Sequence, residues 1–494
     1  VVRIVENDEI SAAGRQFTRT LDALGIPKRA TVAALLANTA EFLAVYRGVT
    51  HSGRRLTNLS NRWSPPDVSY VMENSGSTAF VADQRFSELA AAASSAIPKA
   101  ARFAVGGPIA DFRPWSEILE YPADPLPDAL AGDVLLYTSG TSGRPKGVWR
   151  ELPQAGPPPT LIGNAGQQMM QAFLSAEGRK GPHLVCCPLY HVGPLTYCDG
   201  ALLLGSSVVL MEHFDPEEFL ALIEKHRVTS TFMVPTQFVR LLRLPEATRE
   251  KFDLSSLELV VHGAAPVAIE IKRRMIEWFG PILLEAYGGT EGGGVLINSR
   301  DWLEHPGSVG KPRPGLEVVI LDEEGEPCPA GTEGTIYFRD GPQAFRYKDD
   351  PEKTAEATRG DLFTLGDVGR LDAEGYLYLL DRRADIIISG GVNIYPAQIE
   401  SVLLELEEVA DCCVIGAPND EWGEEVRAVV ELAGEASPTG ATAKKLIGHC
   451  REHLGGFQIP RRVDFSPSLP RTETGKLARR EIRKTYWKDR ERRI

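Results

Sequence analysis

Apolar positions along the first two thirds of the chain alternate between helical and extended spacing. Residues 16–24 and 40–51 repeat at helical intervals, whereas residues 31–36 and 79–82 are short apolar runs suited to buried strands. Val134, Leu135 and Leu136 make a further strand after Gly132-Asp133, and residues 184–189, 207–210, 230–234 and 257–261 repeat the pattern with helices between. Such alternation predicts a mostly parallel sheet wrapped by helices. Residues 282–285 add a strand that runs into the glycine turn of Tyr287-Gly288-Gly289-Thr290-Glu291. From 307 to 378 the pattern changes to short strands (318–321, 334–338) broken by Asp-Glu-Glu-Gly, Asp-Gly and Glu-Gly turns, which predicts a β-rich subdomain over about 307–381. Beyond Asp381–Asp385 come a strand at 386–388, a turn at Gly390-Gly391 and a helix opened by Pro396 that carries Ile399, Val402, Leu403 and Leu406 on one face. Strands at 409–415 and 426–432, a helix at 442–454 and a strand at 462–465 complete the chain. The expectation is an α/β protein: a large N-terminal domain of helix-wrapped sheets over 1–381 and a small α+β C-terminal domain over 382–494.

Composition narrows the class. With 494 residues the chain exceeds one ordinary core, and 43% apolar with 24% charged residues describes a soluble globular protein. A formal charge of -13 argues against nucleic acid as the main partner, although local basic loops can still draw an anion into a cleft. The longest apolar stretch, 201–211, is interrupted by Gly-Ser-Ser and is about half a membrane span. The N-terminus turns acidic too soon for a secretory signal. Seven cysteines with no CxxC pair predict reduced thiols and a cytoplasmic protein, with Cys412 and Cys413 as ordinary strand residues. His449 and His453, four apart, can share a helix face, but no third ligand is evident and zinc is not expected. The arginines of the tail (Arg479, Arg480, Arg483, Arg490, Arg492, Arg493) read as solvated.

The densest chemistry lies between Tyr137 and Gly147. Four hydroxyls (Thr138, Ser139, Thr141, Ser142), three glycines (Gly140, Gly143, Gly147) and two cations (Arg144, Lys146) follow an apolar strand directly. Glycines let backbone N–H groups close on phosphate oxygens, hydroxyls donate further bonds, and a lysine about 4 Å from a phosphate gains about 4 kcal/mol at an effective dielectric of 20. The loop therefore suits a polyphosphate. It is not the Walker loop, because Lys146 is followed by Gly147 rather than Ser or Thr.

This loop resembles the phosphate-binding signature of the adenylate-forming superfamily, the acyl-CoA synthetases, carrier-loading adenylation domains and beetle luciferases. Further motifs match in order: Pro188-Leu189-Tyr190-His191, Tyr287 to Glu291, Gly366-Asp367, Asp381-Arg382, Ser389-Gly390-Gly391 through Pro396, and Pro470 to Lys476. The resemblance covers nearly the whole chain. It implies an AMP-forming acyl-CoA synthetase that uses ATP, Mg²⁺ and coenzyme A to convert a hydrophobic carboxylic acid, fatty or related, first to an acyl adenylate and then to a thioester. Loading of a carrier protein is the alternative. A homodimer is compatible with either.

The resemblance also implies roles. Thr138, Ser139, Gly140, Thr141, Ser142, Gly143 and Lys146 would hold the β- and γ-phosphates, and Glu291 with Thr138 would bind Mg²⁺. Gly263, Ala264, Ala265, Glu285, Ala286, Tyr287, Gly288, Gly289, Thr290 and Leu379 would border the nucleotide, with Tyr287 stacked on adenine. Asp367 would accept the ribose hydroxyls beside Arg382. Lys476 would bridge the carboxylate and the α-phosphate, then leave as the mobile C-terminal domain turns Ser389, Gly390 and Gly391 towards the thiol tunnel. His191, Val192, Tyr197, Met233, Val234, Gly263, Ala264 and Gly288 would line the acyl pocket, with His191 orienting the carboxylate or acting as a base. Two departures stand out. Leu365 occupies the usual threonine position before Gly366-Asp367, and Ala384 stands at the usual hinge position, which it would share with Asp385.

Overall fold

The computed structural model describes residues 3–138, 144–152, 161–341, 345–382, 384–434, 436–471 and 477–488. The N-terminal domain begins with a six-stranded parallel sheet in the order Arg113–Pro114, Arg102–Val105, Ser77–Asp83, Thr31–Leu35, Arg55–Asn58, Asp133–Val134. Thr31–Leu35 is buried at every position, which is why a central parallel strand reads as an unbroken apolar run and not as an alternation. Helices Asn7–Ala23, Ala40–Thr50 and Pro65–Ser75 share its core.

A second sheet runs through fourteen described strands. Val208–Leu210, His183–Val185, Ser230–Met233, Leu259–Gly263 and Leu283–Gly288 lie parallel, and from there Gly293–Asn298, Ser308–Pro312, Leu377–Arg382 and Asp367–Leu371 continue antiparallel. The β-rich region is thus not a detached unit. It has its own core around Ile336, Phe338 and Leu377, but Ser308–Pro312 bonds to the parallel-sheet side through Gly293–Asn298 and to the β-rich side through Leu377–Arg382.

The strand expected at 134–136 is divided between two sheets. Asp133–Val134 closes the six-stranded sheet, and Leu136–Thr138 enters a three-stranded antiparallel ladder with Lys146–Trp149 and Arg346–Tyr347. An apolar run specifies burial and leaves open which sheet accepts each backbone bond, so the crossing at Leu135 has no signature in the sequence.

The smaller C-terminal α+β domain carries a five-stranded sheet: Val392–Ile394, Ile387–Ser389, Gly423–Leu432 and Val409–Asn419, with Arg462–Phe465 parallel to Gly423–Leu432. Helices Pro396–Leu403 and Gly440–His453 pack over a separate core of Ile387, Ile399, Leu403, Val414, Val430 and Leu446. Cys412 and Cys413 are buried strand residues, as expected. The tail is different. Helix Arg479–Tyr486 buries Ile482, and Arg479 lies inside the domain with its guanidinium on both Glu400 carboxylate oxygens and near Asp385. Glu400 is a buried acid in a low-dielectric setting, so it requires a charged partner, and that requirement overturns the solvated reading for Arg479. Arg490, Arg492 and Arg493 lie outside the described residues. Among the described residues, no helix is long and apolar enough to cross a membrane.

Candidate functional site

The hairpin ladder fixes the two ends of the glycine- and hydroxyl-rich loop. Thr138 and Lys146 are direct cross-strand partners, with Tyr137 opposite Gly147 and Leu136 opposite Val148. Gly147 is required by contact: a Cβ there would lie 2.9 Å from the Tyr137 ring, whose hydroxyl donates to Asn74 Oδ1 at 2.6 Å. Ser139, Gly140, Thr141, Ser142 and Gly143 lie outside the described residues. Beside the loop's exit a cavity of about 210 Å³ is lined by Tyr70, Arg144, Pro145, Lys146, Lys348, Asp350 and Lys353. Four cations against one carboxylate make it a strongly positive recess suited to an anion.

The third strand of that ladder brings in a residue that sequence reasoning did not single out. Tyr347 pairs with Val148, which puts its ring diagonally beneath Lys146, with Nζ 5.2 Å from the ring centroid. Its hydroxyl donates to Glu291 Oε1 at 2.8 Å. Burial, reinforced by the Glu291 charge, raises the Tyr347 pKa, so the hydroxyl stays a donor. The Glu291 turn is held from behind. Arg150, just past Trp149, donates to the carbonyls of Thr290 (2.5 Å) and Glu291 (2.8 Å), while Arg55 stacks on Trp149 at 3.7 Å and donates to the Arg150 carbonyl. The glycines of this turn admit Leu365, since a Cβ on Gly289 would meet Leu365 Cδ2 at 2.8 Å. That contact gives the unusual leucine a packing role, and the neighbouring Thr364 hydroxyl accepts from Gly366 N–H at 3.0 Å.

Asp367 and Arg382 are also cross-strand partners, with Nε 3.5 Å from Oδ1. The Tyr287 hydroxyl donates to Asp367 Oδ2 at 2.7 Å. Two residues expected at a nucleotide, Tyr287 and Arg382, therefore converge on the carboxylate of a third, Asp367. Ala264, at the end of Leu259–Gly263, is exposed and has φ +68, a left-handed conformation that costs an alanine about 1–2 kcal/mol. Ala265 is half-buried, Gly288 is exposed, Ala286 and Gly289 are half-buried, and Leu379 packs on the β-rich core.

Two expected side chains face inward instead. The Glu285 carboxylate is buried against the Lys272 ammonium behind the strand, with His262 Nε2 3.9 Å away and Lys272 over the Trp302 ring at 4.8 Å. Glu285 is thus a buried residue of the sheet core. Met233 has no accessible surface and belongs to the packed core. Around the expected acyl pocket, His191 precedes helix Val192–Leu203 with its ring 4.5 Å from that of Tyr190. Tyr197 stacks on Phe232 at 5.4 Å and its hydroxyl lies 2.7 Å from Met169 Sδ; Val192 and Val234 are half-buried.

Comparison with known proteins shows the family of the chain. The model of the AMP-binding enzyme family matches residues 8–347, and that of the AMP-binding enzyme C-terminal domain matches residues 398–476. The chain belongs to the AMP-binding enzyme family. It has the adenylate-forming fold and is an enzyme of the AMP-forming acid–thiol ligase class. It is 32% identical to a feruloyl-CoA synthase of Amycolatopsis sp over 97% of this chain and 93% of the relative. It is 31% identical to a medium/long-chain-fatty-acid–CoA ligase of Mycobacterium tuberculosis, over 96% and 84%. The solved amide bond synthetase of Marinactinospora thermotolerans superposes with a TM-score of 0.83 at 30% identity, covering 97% of this chain and 94% of that one.

The remaining expected residues of this AMP-binding enzyme lie in its C-terminal domain. Ser389 pairs with Val392, so Gly390 (φ +59) and Gly391 (φ +83) form a two-residue hairpin turn whose two positive φ values exclude most other residues. A Cβ on Gly390 would strike Trp422 at 2.6 Å, whereas the Cβ direction of Gly391 is open. Lys476 lies outside the described residues; on either side of 472–476, Arg471 and Leu477 form an antiparallel bridge and Ala478 N–H donates to the Pro470 carbonyl. At the expected hinge, the Ala384 carbonyl accepts from Arg483 at 3.0 Å and Asp385 stands 3.8 Å from Arg479. Just before it, the Asp381 carboxylate accepts from the Arg382 and Ala397 N–H groups, and burial pushes its pKa up to about 6.

Proposed function

We propose that the chain is an acyl-CoA synthetase that activates a hydrophobic carboxylic acid with ATP and transfers the acyl group to coenzyme A. The observation that carries the reading is the contact chain from the phosphate-loop hairpin to the acidic turn, in which Lys146 sits over Tyr347 and Tyr347 donates to Glu291. It joins a cation for phosphate and a carboxylate for metal through one side chain, 56 positions from Glu291. We place the boundary between the two domains at 381/382, at the end of strand Leu377–Arg382 and ahead of Ile387–Ser389, which belongs to the C-terminal sheet.

The phosphate loop with Thr138 and Lys146 holds the β- and γ-phosphates, and the basic recess beside it balances their charge. Mg²⁺ fits the donor set, because Glu291 and Thr138 offer hard oxygens and Tyr347 occupies only one Glu291 oxygen. When bound, Mg²⁺ neutralises phosphate charge. Asp367 accepts the ribose hydroxyls while Tyr287 and Arg382 hold its carboxylate in place. Lys476 draws the substrate carboxylate and the α-phosphate together, offsetting the repulsion between two anions. After the adenylate forms, rotation at Ala384 and Asp385 replaces Lys476 with the Ser389-Gly390-Gly391 turn, whose bare backbone leaves room for a pantetheine arm. The similar relatives are a feruloyl-CoA synthase and a medium/long-chain-fatty-acid–CoA ligase, which supports a largely hydrophobic acid, aryl or aliphatic. Seven free cysteines, six of them buried, support a reducing compartment, the cytoplasm.

The likeness to an amide bond synthetase favours a second reading, in which an amine replaces the thiol as acceptor. Pyrophosphate release over a panel of carboxylic acids, with coenzyme A, with amines and with neither, decides between them when products are identified by mass. Acid-dependent release with acyl-CoA supports the proposal, and amide without thioester supports the second reading. Lys476→Ala is expected to abolish adenylate formation while leaving conversion of a supplied acyl adenylate intact. Loss of both half-reactions would remove the role given to Lys476.

A further inference from the structure

Helix Gly440–His453 is regular to its last turn, capped at its start by Thr439, whose hydroxyl accepts from Thr442 N–H at 3.2 Å. His449 and His453 therefore project from one face, with ring centroids 4.3 Å apart. The segment that joins helix Pro396–Leu403 to strand Val409–Asn419 brings Glu405 to the same place, with Oε2 3.3 Å from His449 Nε2. One ligand atom from each of the three residues lies within 4.8 Å of the other two. The sequence shows two histidines without a third ligand, and the fold supplies it from 44 positions away.

We propose that Glu405, His449 and His453 bind a divalent transition-metal ion of the zinc class. Three features beyond proximity support this. His453 Nδ1 lies 2.9 Å from the His449 carbonyl, a bond that requires the proton on Nδ1 and leaves the Nε2 lone pair free to bind a metal. Two imidazoles and one carboxylate form a three-ligand set that suits Zn²⁺ and leaves one position for water, whereas Mg²⁺ prefers an all-oxygen shell. The helix also ends here, so the negative end of its dipole faces the ion. Zinc bonds of about 2.1 Å ask for ligand atoms about 3.4 Å apart. His449 and Glu405 already stand at 3.3 Å, and one ligand atom of each of the three residues lies within 4.8 Å of the others, so small adjustments of these side chains complete the set. None of the three residues belongs to the adenylation site. The ion clips the helix to the 404–408 segment and adds to the stability of the C-terminal domain by binding only its folded form.

The test uses the full chain without an affinity tag, stripped with EDTA and titrated with ZnCl2 by calorimetry, and with CoCl2 by visible absorption. One equivalent of Zn²⁺ is expected, undiminished by excess Mg²⁺, together with a rise in the melting temperature of the C-terminal domain. His453→Gln and Glu405→Ala are each expected to weaken Zn²⁺ binding at least tenfold. Both side chains are at the surface, so circular dichroism and adenylation activity of the metal-free variants should match the parent. Absence of Zn²⁺ and Co²⁺ binding would reduce the cluster to an imidazole–carboxylate pair. Unchanged affinity and stoichiometry in His453→Gln would place the ion elsewhere, and either result overturns the proposal.

Discussion

Replacing Lys272 by methionine tests whether the strand that carries the nucleotide motif is held by a buried ion pair. Lys272 has no accessible surface, and the Glu285 side chain is 8% exposed. Burial lowers the Lys272 pKa and raises that of Glu285, each more strongly than pairing with the other opposes it. Both groups thus lie nearer neutrality than they would in water, so the pair as a whole contributes little net stability. Breaking it is another matter. Methionine fills the space but leaves Glu285 uncompensated, a loss expected to cost about 3–5 kcal/mol. The contact of the ammonium with Trp302 at 4.8 Å adds about 0.5–1 kcal/mol. His262, 3.9 Å from the same carboxylate, is kept neutral by burial and by Lys272, and release of the second restraint lets it recover part of the loss. The expected net cost is about 3 kcal/mol, or roughly 100-fold in the unfolding equilibrium. The measurement is the urea midpoint, followed by tryptophan fluorescence. Without Lys272 the Glu285 pKa rises further. A raised carboxyl pKa gives stability that is present at low pH and lost as pH rises through the folded value, so the deficit should widen with pH. The double variant Lys272→Met with Glu285→Leu should recover most of the loss. An unchanged midpoint in Lys272→Met, or a double variant no better than the single, would refute the reasoning.

Two further outcomes are expected. Tyr347→Phe removes a charge-assisted hydrogen bond to Glu291 worth about 1.5–2 kcal/mol, so the Mg²⁺ concentration for half-maximal pyrophosphate release should rise roughly tenfold while the melting temperature changes little; an unchanged Mg²⁺ dependence would disconnect Tyr347 from the metal. Asp381, raised from 3.8 to about 6 by burial, binds its proton more tightly folded than unfolded, so its contribution is complete below about pH 4 and falls away as pH rises towards 6. A shift of about two units corresponds to about 3 kcal/mol across that window, and Asp381→Asn should flatten the stability profile between pH 4 and 6; an equal slope in both proteins would count against the buried-carboxyl account.

The layers of this fold were legible because each depends on local pattern. Thr31–Leu35 and Arg462–Phe465 appear almost where periodicity puts them, and Pro396 opens its helix as its fixed φ dictates. The motif residues were legible for a different reason: glycines with hydroxyls and cations, or an acid among glycines, have few other uses. What stayed hidden depends on which distant segments become neighbours. Tyr347 sits in a stretch whose visible feature is the turn before Pro351, and only its pairing with Val148 sends the hydroxyl to Glu291. Arg150 and Arg55 act through backbone carbonyls, which no residue type advertises. Glu285 and Met233 were placed at the cleft by their neighbours in sequence. In a strand, however, successive side chains take opposite faces, and the inward one belongs to the core. Leu365 departs from the usual threonine, and its packing against Gly289 could be seen only in the fold.

The position of the site follows from the way its sheet changes character. Leu283–Gly288 is the last strand of the parallel series and the first of the antiparallel one, so its C-terminal end opens where helical crossovers stop and hairpins begin, the kind of switch point at which α/β sheets leave a crevice. The turn at Gly289–Gly292 occupies that crevice. Through Gly293–Asn298 and Ser308–Pro312 the same hydrogen-bonded ladder reaches Leu377–Arg382 and Asp367, so Glu291, Tyr287, Asp367 and Arg382 stand on one continuous sheet. The described residues that flank Lys476, Arg471 and Leu477, instead pair with each other in a domain with its own core. Side-chain ties such as Tyr395 to Glu333 at 2.6 Å, and Arg243 to the Ala410 carbonyl, join that domain to what precedes it. A few such bonds, each worth about 1 kcal/mol net, can be exchanged during turnover, whereas a sheet ladder cannot. The groups proposed to hold the ribose and adenine throughout are built on that ladder, and the groups proposed to alternate are built beyond the exchangeable contacts.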